Sequence, residues 1–294
     1  MRIGLLGALA NYQKAIQQID GVVWLPLSKE DTGTIQAAQL DGIIIDETMK
    51  LTTSLLEQLH ACTDYVLWNV PKTIRLDDIE RIELSVCPKY FQPAFALRCL
   101  PILKNVRERL KNGEIGNVLG LKLNYSGKYP PDRVFVPSLR GRGIEAVDML
   151  HWLLDAVITE VYAEAFVEEA CSNDITVLSV AFDKGAYATM NVSWSLPTSY
   201  PAAQKLLIDI VAERGNISVD AFHQTISVHH ETGTDRVNWG SDFTIELLQE
   251  FCETISSQRC PSWSLGDLSR AIRVIREAEN SIAQDYPVNV KITG

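Results

Sequence analysis

The chain begins Met1-Arg2-Ile3-Gly4-Leu5-Leu6-Gly7, a short apolar run that ends at a glycine. A stretch with helical spacing, Ala10 to Ile19, follows it, and a second apolar run extends from Val22 to Leu27. The order strand, helix, strand predicts the start of a βαβ unit.

The alternation of strands and helices continues after this unit. We predict a strand at Asp41 to Ile45, a helix at Leu51 to His60 and a strand at Tyr65 to Val70. A further strand near Leu84 to Cys87 is predicted to complete the domain. Strands that alternate with helices indicate a parallel sheet with helices on both faces. Residues 1–90 are therefore predicted to form a Rossmann-like domain.

The pattern changes in residues 91–294. A long helix (Pro93 to Asn112), a strand (Val118 to Tyr125) and a helix (Ile144 to Leu154) precede strands at 157–168, 176–182, 186–195, 205–212, 216–220 and 225–230. Helices at 243–257 and 265–280 and an edge strand at 288–292 close the chain. Consecutive strands without helices imply an antiparallel sheet. The predicted fold class is α/β plus α+β, with terminal helices that can pack back on the first domain.

Composition excludes several classes of function. The net charge of −10 opposes direct binding to nucleic acid. The apolar run around Leu150 to Leu154 is far shorter than the roughly 20 residues of a membrane span, and the N-terminus lacks the features of a signal peptide. The six cysteines form no Cys-x-x-Cys pair, so we expect reduced thiols, no metal site and a cytoplasmic location.

Five segments together resemble the Gfo/Idh/MocA oxidoreductase family over nearly the whole chain. They are Met1 to Gly7, Phe91-Gln92-Pro93-Ala94-Phe95, Asn112-Gly113-Glu114-Ile115-Gly116, Asp148-Met149-Leu150-His151-Trp152-Leu153-Leu154 and the ending through Asp285-Tyr286-Pro287-Val288. The resemblance implies that NAD or NADP binds in the first domain and that sugars, cyclitols or related small molecules are oxidised or reduced. A homodimer or higher homo-oligomer through the C-terminal sheet, with no membrane partner, is also expected.

The family's cofactor loop is only partly present. The candidate cofactor residues are Gly7, Ala8, Leu9, Ser28 and Lys29. Only the first glycine of the fingerprint remains, and Leu9 replaces the glycine that lets a pyrophosphate come close. Ser28 and Lys29 replace the usual ribose-binding acid; they suit the extra phosphate of NADP, or are solvated loop residues.

The family's Glu-Lys-Pro segment aligns with Asn69-Val70-Pro71. Pro71 is retained as a candidate cofactor contact, but Val70 replaces the lysine and cannot move a proton. Lys72 is the candidate substitute. Two positions along an extended chain correspond to about 6 to 7 Å, so Lys72 requires a local rearrangement to act there.

The family's Asp-x-x-x-His pair aligns with Gly141 and Glu145. Glu145 or Asp148 could serve as a general acid or base if burial raised its pKa toward neutrality. The alternative is a solvated polar face shared with His151 and Asp155.

The resemblance also places basic and aromatic residues near the substrate. Arg140 and Arg142 are candidate anchors for an anionic or hydroxyl-rich ligand. Trp194 either forms an apolar wall of the site or packs in the core.

Two functional hypotheses follow from these residues. The first is an NAD(P)-dependent oxidoreductase acting on a small polar, sugar-like metabolite with atypical or reduced catalysis. The second is a catalytically silent relative that senses a ligand or binds a protein, as in a yeast transcriptional co-repressor of this family. The fold favours the first hypothesis, and the altered residues Leu9, Val70, Gly141 and Glu145 favour the second.

Overall fold

The computed structural model describes residues 1–7, 12–27, 39–129, 136–168, 173–223, 225–230, 233–238 and 242–291. The chain forms two compact units. The first comprises Met1–Cys99 with Asp242–Ser269, and the second comprises Leu100–Ser241 with Arg270–Gly294. The sequence analysis divided the chain after residue 90, whereas the first unit extends to Cys99 and gains a segment from the C-terminal part.

A five-stranded parallel sheet forms the centre of the first unit, in the order β2-β1-β3-β4-β5. The strands β1 to β5 span Arg2–Leu6, Val23–Leu27, Gly42–Ile45, Tyr65–Trp68 and Tyr90–Pro93. Strands β3 and β4 are short runs of buried, mostly β-branched or aromatic residues, as is typical of a parallel sheet covered on both faces. The predicted Rossmann-like domain is confirmed.

The described part of this unit contains the helices α1 (Gln13–Ile16), α2 (Thr53–Cys62), α3 (Leu76–Glu83) and α6 (Phe243–Ser256). The Thr52 side chain caps α2 by accepting from the amide of Leu55 at 3.3 Å. Helix α6 packs on β3, where a Cβ at Gly42 would lie 2.6 Å from Ile255 Cδ1.

The predicted strand at Leu84 to Cys87 is wrong. Helix α3 extends to Glu83, and the next strand begins only at Tyr90. The apolar side chains of this stretch are not buried: Leu84 is 90% exposed, and Val86 is exposed as well. Apolar composition alone does not distinguish a buried strand from an exposed connection.

A nine-stranded sheet forms the centre of the second unit, in the order β13-β12-β11-β10-β6-β9-β8-β7-β14. Strands β6 to β14 span Val118–Gly127, Ile158–Glu168, Asn173–Phe182, Tyr187–Trp194, Gln204–Ala212, Gly215–Asp220, Thr225–His230, Gly233–Asn238 and Val288–Asn289. All neighbours are antiparallel except β6 and β9. The predicted mostly antiparallel sheet is confirmed.

The remaining helices are α4 (Pro101–Lys111), α5 (Ile144–Leu154) and α7 (Leu265–Gln284), with a π-helical turn at Leu139–Gly143 directly before α5. The predicted helix from Pro93 to Asn112 is interrupted: a 3₁₀ turn, Ala96–Cys99, precedes α4. Pro101 explains the break, because proline disfavours a helical residue before it and suits the first turn of a new helix.

One face of the nine-stranded sheet carries the core of this unit. Along β6 and β10, buried and more exposed side chains alternate. The buried ones include Leu123 and Tyr125 on β6 and Ile208 and Ile210 on β10. Among the described residues, no helix has the length and apolar character that crossing a membrane requires.

Helix α7 is tied to the sheet by one buried hydroxyl. Ser281 Oγ accepts from the amide of Ala163 on β7 at 3.0 Å and donates to the carbonyl of Tyr286 at 2.8 Å. We expect Ser281→Ala to lower the free energy of unfolding by about 1–3 kcal/mol, because it removes the partner of the buried Ala163 amide and of the partly buried Tyr286 carbonyl. Urea denaturation measures the loss. Ser256→Ala, at an exposed serine, is the control and should change stability by less than about 0.5 kcal/mol.

Candidate functional site

The edge of the parallel sheet where a dinucleotide is expected begins at Gly7. This glycine follows β1 with φ of +106°, and a Cβ there would lie 2.5 Å from Asp46 Cβ. Both features require glycine, as the first position of a dinucleotide loop does. Four other predicted cofactor residues, Ala8, Leu9, Ser28 and Lys29, lie outside the described residues.

Tyr12 is the residue at this edge that sequence reasoning missed. In the spacing Gly-x-Gly-x-x-Gly counted from Gly7, it stands at the third glycine, which normally allows close packing of helix on strand. Its side chain is only 5% exposed, and its hydroxyl donates to Asn69 Oδ1 directly after β4. Burial raises the pKa of the Tyr12 hydroxyl, so it remains a protonated donor.

A carboxylate lies beside the same edge. Asp46 follows β3, and its Oδ1 accepts from the amide and hydroxyl of Thr48 at 2.9 and 2.6 Å. Helix α1 contains only Gln13–Ile16, too short for a strong dipole at its N-terminus. Gly7 has the backbone conformation of a dinucleotide loop, whereas Tyr12 places a large buried side chain and Asp46 a carboxylate at the same edge of the sheet.

The Asn69-Val70-Pro71 segment follows β4. Pro71 lines a cleft of about 270 Å³ in the first unit, together with Glu47, Thr48, Met49, Lys50, Leu51, Trp68, Thr73, Ile74, Asp78, Arg81 and Ile82. Lys72 is half-buried immediately beyond it. The role of Lys72 as a substitute for the lysine of the family stays a prediction.

A second cluster lies in the C-terminal unit, where the π-helical turn meets the ends of β6, β9 and β10. Arg142 is 7% exposed, and its guanidinium carbon lies 4.5 Å from the ring centre of Tyr125 and 4.6 Å from that of Trp194. Its Nη1 donates to Gln204 Oε1 at 2.5 Å, while its buried Nε has no partner. Such a desolvated cation between two aromatic faces is held by cation–π attraction of up to about 2 kcal/mol per ring.

Glu145 joins this cluster from the first turn of α5. Its Oε2 accepts from the Tyr125 hydroxyl at 2.8 Å, and the same hydroxyl lies 3.1 Å from Gln204 Oε1. Burial and the charge of Glu145 raise the pKa of Tyr125, so the tyrosine is a neutral donor. The structure therefore brings together Arg142, Glu145 and Trp194, three of the predicted site residues.

Tyr125 and Gln204 were missing from the sequence prediction. Tyr125 follows Leu121 and Leu123 as the next buried residue in the alternating pattern of β6. From the sequence alone it cannot be distinguished from an aromatic residue of the core. Gln204 opens β10 and carries no sequence signal of its own.

The Trp194 ring lies beside Gly141, the residue that the sequence analysis aligned with the family's aspartate. A Cβ at Gly141 would overlap Cζ2 of the Trp194 ring. The ring is fixed, because its Nε1 donates to the carbonyl of Val136 at 2.8 Å. No side chain at residue 141 can therefore enter the site unless Trp194 moves.

The other predicted residues lie outside this cluster. Arg140 makes a two-point ion pair with Glu279 on α7, at 2.5 and 2.6 Å. Asp148 is 2% exposed, and His151 is also buried, its Nε2 accepting from the amide of Ile158 at 3.2 Å. The predicted solvated face of α5 is thus wrong for these two residues. Asp155 is exposed, in the left-handed conformation that ends the helix.

Comparisons with known proteins agree with this architecture. Residues 103–218 match the GFO/IDH/MocA C-terminal domain. The chain is 22% identical over 275 residues to the "uncharacterized oxidoreductase YrbE" of Bacillus subtilis (strain 168), covering 86% of this chain and 79% of that protein.

Two solved structures share the fold over nearly their whole length. An Agrobacterium radiobacter oxidoreductase in complex with NAD⁺, L-tartaric acid and magnesium has a TM-score of 0.80 at 15% identity, covering 99% of this chain and 98% of that one. An aldose-aldose oxidoreductase from Caulobacter crescentus complexed with glycerol has a TM-score of 0.82 at 13% identity, covering 98% and 99%. Residues 103–218 thus match a domain of the family that the sequence resembles, and the solved structures share its two-unit fold.

The contact between Gly141 and Trp194 can be tested by a double-mutant cycle. We expect Gly141→Asp to cost about 1–3 kcal/mol of unfolding free energy, because the new side chain overlaps a fixed ring. The same change in a Trp194→Ala background should cost at least about 1 kcal/mol less. Gly120→Ala is the control, since a Cβ there lies 3.6 Å from its nearest neighbour. Equal costs of Gly141→Asp in both backgrounds would contradict the overlap.

Proposed function

We propose that this chain binds a small, hydroxyl-rich metabolite in its C-terminal unit and has lost most of the NAD(P)-dependent hydride transfer of its family. The observation that carries the proposal is the Trp194 ring in the space of a side chain at Gly141. With Val70 at the lysine position, two of the three proton-handling positions of the family hold no group that transfers protons.

The chemistry of the cluster supports a polar ligand. Glu145 and Gln204 are half-buried and offer oxygen acceptors for hydroxyl groups, next to the cationic Arg142. The relatives in complex with L-tartaric acid and glycerol bind small molecules of this kind. The proposed ligand is therefore a polyol, a sugar or a hydroxy acid.

A second candidate function is an active oxidoreductase with a different acid–base pair. The hydrogen bond from Tyr125 to Glu145 favours it, because Glu145 stands at the position of the family's histidine. A carboxylate there could accept a proton from a substrate hydroxyl, with Tyr125 positioning it. NAD or NADP would supply the hydride acceptor.

Calorimetric titration with L-tartrate, glycerol and myo-inositol tests the binding proposal. At least one should bind saturably, and Glu145→Ala should weaken the binding about tenfold through the loss of one charged hydrogen bond. Glu253→Ala, at an exposed carboxylate on α6, is the control and should leave the affinity unchanged. Equal binding by Glu145→Ala and wild type would argue against the site.

Turnover of the same compounds with NAD⁺ and NADP⁺ separates the two candidate functions. For the proposed function we expect a turnover number well below about 1 s⁻¹, the low end for enzymes. A faster reaction that Glu145→Gln abolishes and Tyr125→Phe slows would establish the second candidate instead.

The outer face of the nine-stranded sheet supports a homo-oligomer. Four adjacent strands, β10, β6, β9 and β8, expose Val211, Leu119, Tyr187 and Val177 there, Tyr187 to 67%. Lys122 and Asp209 lie opposite each other in register on the exposed side. A second copy of this face can match both the apolar groups and the two charges.

Light scattering after size-exclusion chromatography tests this assembly. We expect a dimer or larger oligomer for the wild type and a monomer for the pair Tyr187→Glu and Val211→Glu, since buried like charges oppose association. Val23→Glu, at an equally exposed residue of β2, is the control. A monomeric wild type would contradict the proposed oligomer.

The cysteines support a cytoplasmic location. Cys62, Cys87, Cys99, Cys252 and Cys260 are free thiols. Free thiols are typical of proteins from a reducing compartment.

A further inference from the structure

The crevice for a dinucleotide lies at a defined place in the parallel sheet. The chain direction across the sheet reverses between β1 and β3, because β2 is on one side of β1 and β3 is on the other. Ligands of such sheets bind outside the carboxyl ends of the strands at this switch point. Here those ends are followed by Gly7 after β1 and Asp46 after β3.

Tyr12 crosses this crevice. It follows β1, yet its hydroxyl donates to Asn69, the residue after β4, and β3 lies between those two strands. The Tyr12 hydroxyl therefore lies at the end of β4, beyond β3 as counted from β1. The charges of Asp46 and Glu47 contribute to the raised pKa of Tyr12, as expected for a hydroxyl above that strand end.

We infer that Tyr12 is a built-in plug of the dinucleotide crevice, held closed by Asn69. The ring is buried at the carboxyl-end edge of the sheet on which a dinucleotide would lie, at a position of the fingerprint that normally carries only a hydrogen atom. A dinucleotide can enter only if the hydrogen bond to Asn69 breaks and the ring turns out.

Asp46 adds a second barrier at the same place. Its carbon chain packs against Gly7, so its carboxylate lies beside the turn that a pyrophosphate approaches. Like charges at this separation repel, and salt weakens the repulsion only partly at a half-buried site. The inference goes beyond the proposed function, because it concerns entry of the cofactor into the first unit, whereas the proposed metabolite site lies in the C-terminal unit.

The experiment is a fluorescence titration of the full chain with NADH and NADPH. We expect no saturation of the wild type up to about 1 mM, and at least tenfold tighter binding by Tyr12→Gly. Tyr12→Phe and Asn69→Ala, which remove the hydrogen bond but keep a ring, should lie in between. Asp46→Asn should tighten binding further when combined with Tyr12→Gly. Tyr162→Phe, at a tyrosine of β7, is the matched control and should behave as the wild type.

Circular dichroism and a thermal melt verify that each variant is folded, and Tyr12→Ala replaces Tyr12→Gly if the glycine unfolds α1. Two outcomes overturn the inference: wild-type binding that Tyr12→Gly leaves unchanged, or no binding by any folded variant. Its failure is distinct from failure of the proposed function. Turnover by the wild type refutes the proposed function, whereas the plug is judged by the affinity ratio of variant to wild type.

Discussion

Burial of the Arg142 guanidinium is the constraint on which the C-terminal site depends. A charge removed from water is costly unless other groups replace its solvation. The rings of Tyr125 and Trp194 both lie against the guanidinium, and Gln204 Oε1 accepts a hydrogen bond from its Nη1. This arrangement requires glycine at residue 127, because a Cβ there would overlap the guanidinium.

The same arrangement restricts the residue at position 141. Trp194 can cover Arg142 only where residue 141 has no side chain, because a Cβ there would overlap the ring. Tyr125 connects Arg142 to Glu145, because its ring faces the cation and its hydroxyl donates to the carboxylate. Arg142, Glu145 and Trp194 thus belong to one interacting group that is joined by Tyr125.

The edge of the parallel sheet in the first unit is shaped by similar local contacts. Gly7 has the backbone conformation that a dinucleotide loop needs, and the Tyr12 ring and the Asp46 carboxylate lie at the same edge. The strands and their order depend on buried apolar residues.

The sequence by itself determined the fold class, because apolar periodicity and the order of strands and helices are local signals. The same periodicity gave the first and last residues of α5, Ile144 and Leu154. It did not locate β5, since Leu84 and Val86 are as apolar as buried strand residues and only packing showed them to be exposed. It identified Arg142, Glu145 and Trp194 as separate candidates. Only the tertiary structure joined them through Tyr125 and Gln204 and placed Tyr12 against Asn69, 57 residues away, because such contacts depend on how strands distant in sequence lie side by side.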